Sequence, residues 1–148
     1  MSKKSGLTMA SMILYVVLFF IFISFAISIS TNMNYKILTQ KGDMYINEEY
    51  DKLQYNLFKS AKASTSISFI QGDIVFSNND IYHYDSDKKI IYKNNAVLVD
   101  SVEIFEKKAT SQLSITDKSG YLNYNVKFNK YKQEINKDIF VSVGDVND

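Results

Sequence analysis

"KKSGLTMASMILYVVLFFIFISFAISIS", Lys3 to Ser30, is the stretch on which the reading of this chain turns. No charge occurs between Lys4 and Lys36. From Leu7 to Ile29 the small polar residues are Thr8, Ser11, Ser24 and Ser28. As a helix rising 1.5 Å per residue this segment is about 34 Å long, enough to cross a bilayer core of about 30 Å. A secretory signal has an apolar region of about 7–15 residues and ends at a small-x-small cleavage site. This segment is longer, and "FAISIS" fits such a site poorly. Its β-branched Ile and Val weaken a helix in water, but lipid leaves a single span no other way to satisfy its backbone. Lys3 and Lys4 place the N-terminus on the cytoplasmic side and the remainder outside.

The rest of the chain must fold without staples. Its 148 residues include no cysteine, proline or tryptophan. A disulfide framework and a thiolate metal site are therefore excluded. All 17 basic residues are lysine, so no guanidinium fork is available for bidentate recognition of phosphate. The net charge of +1 lacks the electrostatic footprint of a non-specific nucleic-acid binder.

Beyond the apolar segment the helical period continues. Ile46, Tyr50, Leu53, Leu57 and Ala61 fall on one stripe, while Glu48, Glu49, Asp51 and Lys52 lie off it. Gly42, followed by Asp43, is expected to kink or break the helix, since glycine costs about 1 kcal/mol there relative to alanine. From Ser64 the period becomes two. "STSISFI", "DIVFS", "IYHYD", "KIIYK", "AVLVDSVEIFEK", "SQLSIT", "YLNYNVKF" and a last short "DIFVSV" read as strands. Gly72, "NND", "SDK", "NN" and "DKSG" supply the turns. Leu122, Tyr124, Val126 and Phe128 form the inward side of one strand. The expected fold class is α+β: a long N-terminal helix, transmembrane then amphipathic, packed against an antiparallel β-sheet meander.

Chemistry-bearing patterns are sparse. His83, the only histidine, sits between Tyr82 and Tyr84, and a strand histidine facing a neighbour or solvent is the plainer reading. No G-x-S-x-G, P-loop or Rossmann glycine pattern occurs, and the chain is read as a non-enzyme with no cofactor. "DSD" (Asp85, Asp87) and "GDVND" (Asp145, Asn147, Asp148) offer oxygens but not a calcium loop, so no metal is expected. "YLNYNVKFNKYKQEINK" interleaves tyrosines with Lys127, Lys130, Lys132 and Lys137, a pattern that can stack on single-stranded DNA. Because Tyr124 and Phe128 point inward and the domain is neutral, an ordinary solvated strand and loop is favoured over DNA contact.

A short basic leader, then "SGLT", then an unbroken apolar helix resembles the type IV prepilin (class III) signal of pilins and pseudopilins. The resemblance implies the following expectations. A prepilin peptidase cuts between Gly6 and Leu7, and Leu7 becomes an N-methylated terminus. The partners are other pilins or pseudopilins, the lipid bilayer and, indirectly, a membrane platform protein and an assembly ATPase. Residues 1–6 are then the leader, 7–30 the transmembrane and filament-core helix, 31–63 its amphipathic continuation and 64–148 the extracytoplasmic β-sheet domain. Most pilins carry glutamate at the fifth mature position, where it pairs with the amine of a neighbouring subunit; here that position is Ser11. This departure is similar to minor pilins and pseudopilins used in few copies at a filament tip. "DIVFSNNDIYHYDSDKKIIYKNNAVLVDSVEIFE", Asp73–Glu106, resembles the layout of competence minor pilins of the ComGF type and pseudopilins of the J type. The resemblance leaves the machine open among type IV pilus, competence pilus and type II secretion pseudopilus. The alternative class is an uncleaved single-pass membrane protein with an external ligand-sensing or adhesive domain.

Overall fold

A computed structural model of the chain describes residues 3–108 and 121–143, with side chains from Thr8 onward. The expected strand "SQLSIT", the turn "DKSG" and the tail residues Asp145, Asn147 and Asp148 lie outside the described residues. The chain divides into two compact units, Met1–Gln40 and Lys41–Asp148. One helix, α1 (Lys3–Lys62), runs through both. In the first unit no described residue of α1 is buried.

In the second unit α1 behaves as a core element. Ile46, Leu53, Leu57 and Ala61 are fully or almost fully buried, and Tyr50 packs beside them. Each of the Ile and Leu side chains so removed from water contributes about 1.5–3 kcal/mol. The helix ends where Ala63 N–H reaches the Lys59 carbonyl and Ser64 N–H the Ala61 carbonyl. Lys59 and Lys62 in its last turn favour the negative end of the dipole.

Gly42 does not break α1, contrary to the expectation of a kink. Its role is close approach. A Cβ built there lies 2.8 Å from Gln133 Cγ and 3.0 Å from the Lys130 carbonyl oxygen. Only a residue without a side chain lets the helix meet that hairpin.

All strand pairing among the described residues is antiparallel. Strands β1 (Ile67–Ile70), β2 (Asp73–Phe76), β3 (Ile81–Asp85), β4 (Ile90–Lys93) and β5 (Ala96–Val99) form a five-stranded meander in sequence order. Strands β6 (Val102–Lys107), β7 (Tyr121–Lys130) and β8 (Gln133–Ser142) form a second sheet of three. The arrangement is the expected α+β class, with the meander divided into two sheets. The division falls inside "AVLVDSVEIFEK", expected as one strand. Ser101 adopts φ 61°, a left-handed conformation that no strand continues through. The Asp100 amide donates to Glu49 Oε2 on α1 (3.0 Å), while Asp100 Oδ1 accepts from Tyr45 (2.5 Å) and Ser101 (2.6 Å). The corner is thus held by helix side chains that a strand pattern does not reveal. Two main-chain bonds, Val102 N to Lys89 O and Asn129 N to Ser101 O, link it to both sheets.

Leu122, Tyr124, Val126 and Phe128 are buried on β7 as the alternation requires. The last strand is longer than the expected "DIFVSV", because "QEIN" also pairs, from Lys130↔Gln133 to Tyr121↔Ser142. Only Tyr131 and Lys132 form the turn, both at positive φ (51° and 66°), as type I′ demands. Asn94 and Asn95 make the same turn with residues suited to it. Tyr131 and Lys132 are not so suited.

Three stability predictions rest on the close approach at Gly42 and the left-handed turn at Lys132. Gly42→Val lowers the unfolding free energy of the full-length protein in detergent by about 1–3 kcal/mol through overpacking. Gly42→Ala does not gain the roughly 1 kcal/mol that this change yields on a free helix face. Lys132→Gly relieves a left-handed non-glycine and raises stability by about 1 kcal/mol in the same denaturation assay.

Candidate functional site

The residues singled out by the prepilin-like motif lie on α1. Gly6 and Leu7 fall within its helical backbone near the start. Ser11 is exposed, and its Oγ donates to the Thr8 carbonyl at 2.9 Å. Ser24 Oγ likewise donates to the Phe20 carbonyl (2.8 Å), and Thr31 Oγ1 lies within reach of the Ile27 (3.1 Å) and Ser28 (3.0 Å) carbonyls. Each of these hydroxyls finds its acceptor in its own helix, so lipid imposes no unsatisfied donor. Met12, Tyr15, Phe19, Phe22 and Phe25 stand exposed around them. α1 is long and apolar enough to cross a membrane: its most apolar window has mean hydropathy 2.8 and no part of it is buried. It is the one such helix among the described residues.

In the second unit the most constrained polar group is Ser60, fully buried on the inner side of α1. Its hydroxyl donates to Asp80 Oδ2 at 2.5 Å. Its two lone pairs accept from Tyr82 OH (2.7 Å) and from Lys93 Nζ (3.1 Å). Asp80 also accepts from Asn78 Nδ2 (3.1 Å) and Asn94 Nδ2 (3.0 Å), and pairs with Lys93 at 3.1 Å. Burial pushes the Asp80 carboxyl up, but the bonds from Ser60, Asn94, Lys93 and Asn78 outweigh it and hold it at about 2. Burial lowers the Lys93 ammonium, yet Asp80 and Tyr82 leave it raised overall.

Ser60 and Lys93 are a serine and a lysine in contact, which invites comparison with a nucleophile and its base. The comparison fails on valence and charge. A base lysine must be neutral, whereas Lys93 is held protonated by Asp80. Both Ser60 lone pairs are engaged, and no substrate reaches a buried oxygen. The cluster ties the end of α1 to β3 and β4. The sequence contained a signal for it: Ser60 is a polar residue on the buried side of an otherwise apolar helix stripe.

His83 is exposed, with Nδ1 2.7 Å from Asp73 Oδ1 across the β2–β3 pair, so it faces a neighbour and solvent as read. Asp85 ends β3 and closes the turn that follows: it accepts from the Lys88 amide at 3.0 Å and the Lys88 ammonium at 2.8 Å. No group of three metal-ligating residues occurs among the described residues. Three of the four lysines interleaved with tyrosines are engaged at home, and Lys132 is exposed in the β7–β8 turn. Lys127 lies 2.5 Å from Glu134 and 3.5 Å from Glu103, and Lys130 lies 3.7 Å from Asp100. Lys137 donates to Asn47 Oδ1 at 2.8 Å and covers the Tyr50 ring.

No protein-family model, curated protein or solved structure matches the chain.

The depressed Asp80 carboxyl predicts an acid dependence with a definite sign. Its folded value lies below the ordinary 3.8, so its contribution is complete above about pH 4 and is lost as pH falls towards 2. A shift of this size corresponds to about 2 kcal/mol. Asp80→Asn is expected to remove that increment at neutral pH and to flatten the pH dependence of chemical unfolding between pH 4 and 2. An unchanged slope contradicts the assignment.

Proposed function

We propose that this chain is a minor subunit of a helix-cored filament of the type IV pilin class, a minor pilin or pseudopilin that a prepilin peptidase processes between Gly6 and Leu7. The observation that carries the reading is α1 itself. One helix begins beside "KKSG", is apolar and uncovered through the membrane-length segment, and becomes the core helix of a sheet domain. A helix whose only task is anchorage needs no such continuity into the external fold.

In this reading Lys3 and Lys4 orient the chain with its N-terminus in the cytoplasm and its sheet domain outside. The leader is lost, and the helix waits in lipid until it joins a bundle of like helices. Its polar residues suit both environments, because Ser11, Ser24 and Thr31 are satisfied within the helix. Glutamate at position 11 would be a charge in lipid and would require a neighbour. Serine needs none, which suits a subunit used in few copies, at an initiating tip or accessory position. Energy for assembly comes from a cytoplasmic ATPase acting through a platform protein.

The test is the N-terminus of the protein isolated from membranes of cells that carry a prepilin peptidase. Mass spectrometry is expected to find a chain starting at methylated Leu7, and Gly6→Ala is expected to leave the full-length precursor. An intact N-terminus in the unaltered protein supports instead an uncleaved single-pass receptor or adhesin.

A further inference from the structure

The β7–β8 hairpin breaks a local rule that the β4–β5 hairpin obeys. A type I′ turn favours Asn, Asp and Gly because both central residues are left-handed, and Asn94 and Asn95 comply. Tyr131 and Lys132 take the same conformation, φ 51° and 66°, at a cost in backbone strain. Tyr131 nevertheless stays 49% exposed, its ring edge-on to Tyr45 at 6.2 Å. Lys130 Nζ lies 4.9 Å from the Tyr45 ring centre and 5.9 Å from that of Tyr131, and steadies both rings. Lys132 is exposed and makes no ion pair with any described residue. Strain retained at an exposed Tyr–Lys tip points to a contact made outside the chain.

The place of this tip along the chain identifies the contact. Gly42 packs against the Lys130 carbonyl and Gln133, the residues that flank the turn, so the turn is held at that level of α1. Gly42 follows Lys36 by six residues, about 9 Å of helix. Lys36 ends the uncharged run that begins after Lys4, about 46 Å of helix, close to the thickness of about 40–45 Å of a bilayer with its headgroups. Where α1 crosses a membrane, Tyr35 and Lys36 therefore stand at the outer headgroup level, and Tyr35 is 59% exposed. An aromatic ring with a lysine beside it suits that zone, and Tyr131–Lys132 repeats the pair. About 9 Å is also close to one Debye length at physiological salt, so a lysine at the level of Gly42 is still drawn to anionic lipid. The helix adds exposed Lys41 there, against one acid, Asp43, before Glu48. Asp100 and Glu134 beside the hairpin are paired with Lys130 and Lys127.

We propose that the β7–β8 turn docks on the anionic headgroups of the membrane that α1 crosses, as a second attachment besides the helix. The Tyr131 ring enters the headgroup zone with its hydroxyl towards water, and Lys132 meets lipid phosphate as a point charge. The two attachments divide the task. The helix holds the chain in the bilayer, and the turn restrains the tilt and rotation of the sheet domain above it. The attraction of one lysine is small, so the contact is readily released. Asn-Gly at the tip would fold with less strain but would present neither ring nor charge, which accounts for the unsuited pair. The proposal rests on α1 spanning a membrane and not on leader cleavage.

The chain has no tryptophan, so a single introduced one reports alone. Full-length Tyr131→Trp, Phe140→Trp and Phe22→Trp proteins are reconstituted in vesicles of mixed phosphatidylcholine and phosphatidylglycerol that carry a nitroxide on the headgroup or on the acyl chain. Tyr131→Trp is expected to be quenched by the headgroup label and sheltered from acrylamide. Phe140→Trp, at an exposed position further along β8, is expected to be open to acrylamide and untouched by either label. Adding Lys132→Gly to Tyr131→Trp, or replacing phosphatidylglycerol by neutral lipid, is expected to lower the docked-to-free ratio read from this quenching about fivefold. The first change does so although it relieves the turn, and Lys132→Arg retains the quenching. The proposal is overturned if Tyr131→Trp is as open to acrylamide as Phe140→Trp, if the acyl label quenches it more than the headgroup label, or if its quenching ignores both Lys132→Gly and anionic lipid. Shelter from acrylamide without quenching by either label overturns it as well, and points to a protein partner. Phe22→Trp reads the anchor separately, through the acyl label. Loss of that signal removes the spanning helix and the proposal with it, whereas its presence beside an unquenched Tyr131→Trp removes the proposal alone.

Discussion

The outer fold depends on the burial of one helix stripe that contains a single polar side chain. Ile46, Leu53, Leu57 and Ala61 supply apolar surface that both sheets share in one core. Ser60 interrupts that surface with a hydroxyl that must be satisfied where no water reaches it. The solution recruits Asp80, Tyr82 and Lys93 from β3, β4 and the turn before β3. Those residues in turn draw in Asn78 and Asn94, which hold the neighbouring turns. The network therefore fixes where the helix ends relative to the first sheet, and apolar packing alone carries no such register.

At the other end of the same packing surface the constraint is steric. Gly42 allows the β7–β8 hairpin to approach the helix backbone, and Tyr45 and Glu49 fix the Asp100–Ser101 corner one turn later. The corner is what separates the two sheets. Close approach, corner and buried hydroxyl are three local solutions to one demand: the helix must meet two differently oriented sheets along a single face. The opposite face is relieved of that demand and leaves Met44, Tyr55 and Phe58 exposed.

The first part of α1 is composed differently. Its hydroxyls close on their own carbonyls and its large side chains spread outward. A helix that is apolar all round is stable only where its surroundings are apolar. The same sixty-residue element thus buries one stretch against the sheets and leaves another, long and apolar enough to cross a membrane, uncovered.

The amino-acid order determined whatever depends on periodicity. The membrane-length segment, the stripe Ile46–Ala61, the alternation of Leu122–Phe128 and the asparagine turn at 94 and 95 are local patterns, and each emerged in the fold. The exposed His83 was legible for the same reason. The uninterrupted helix at Gly42, the corner at Ser101 and the full length of β8 were decided by tertiary structure. In each case a residue distant in sequence overrides the local preference: Gln133 opposite Gly42, Tyr45 and Glu49 beside Asp100, β7 alongside the polar start of β8. The Ser60 cluster is of the same kind, since a lone buried serine announces that it needs partners, but only the packed chain says which.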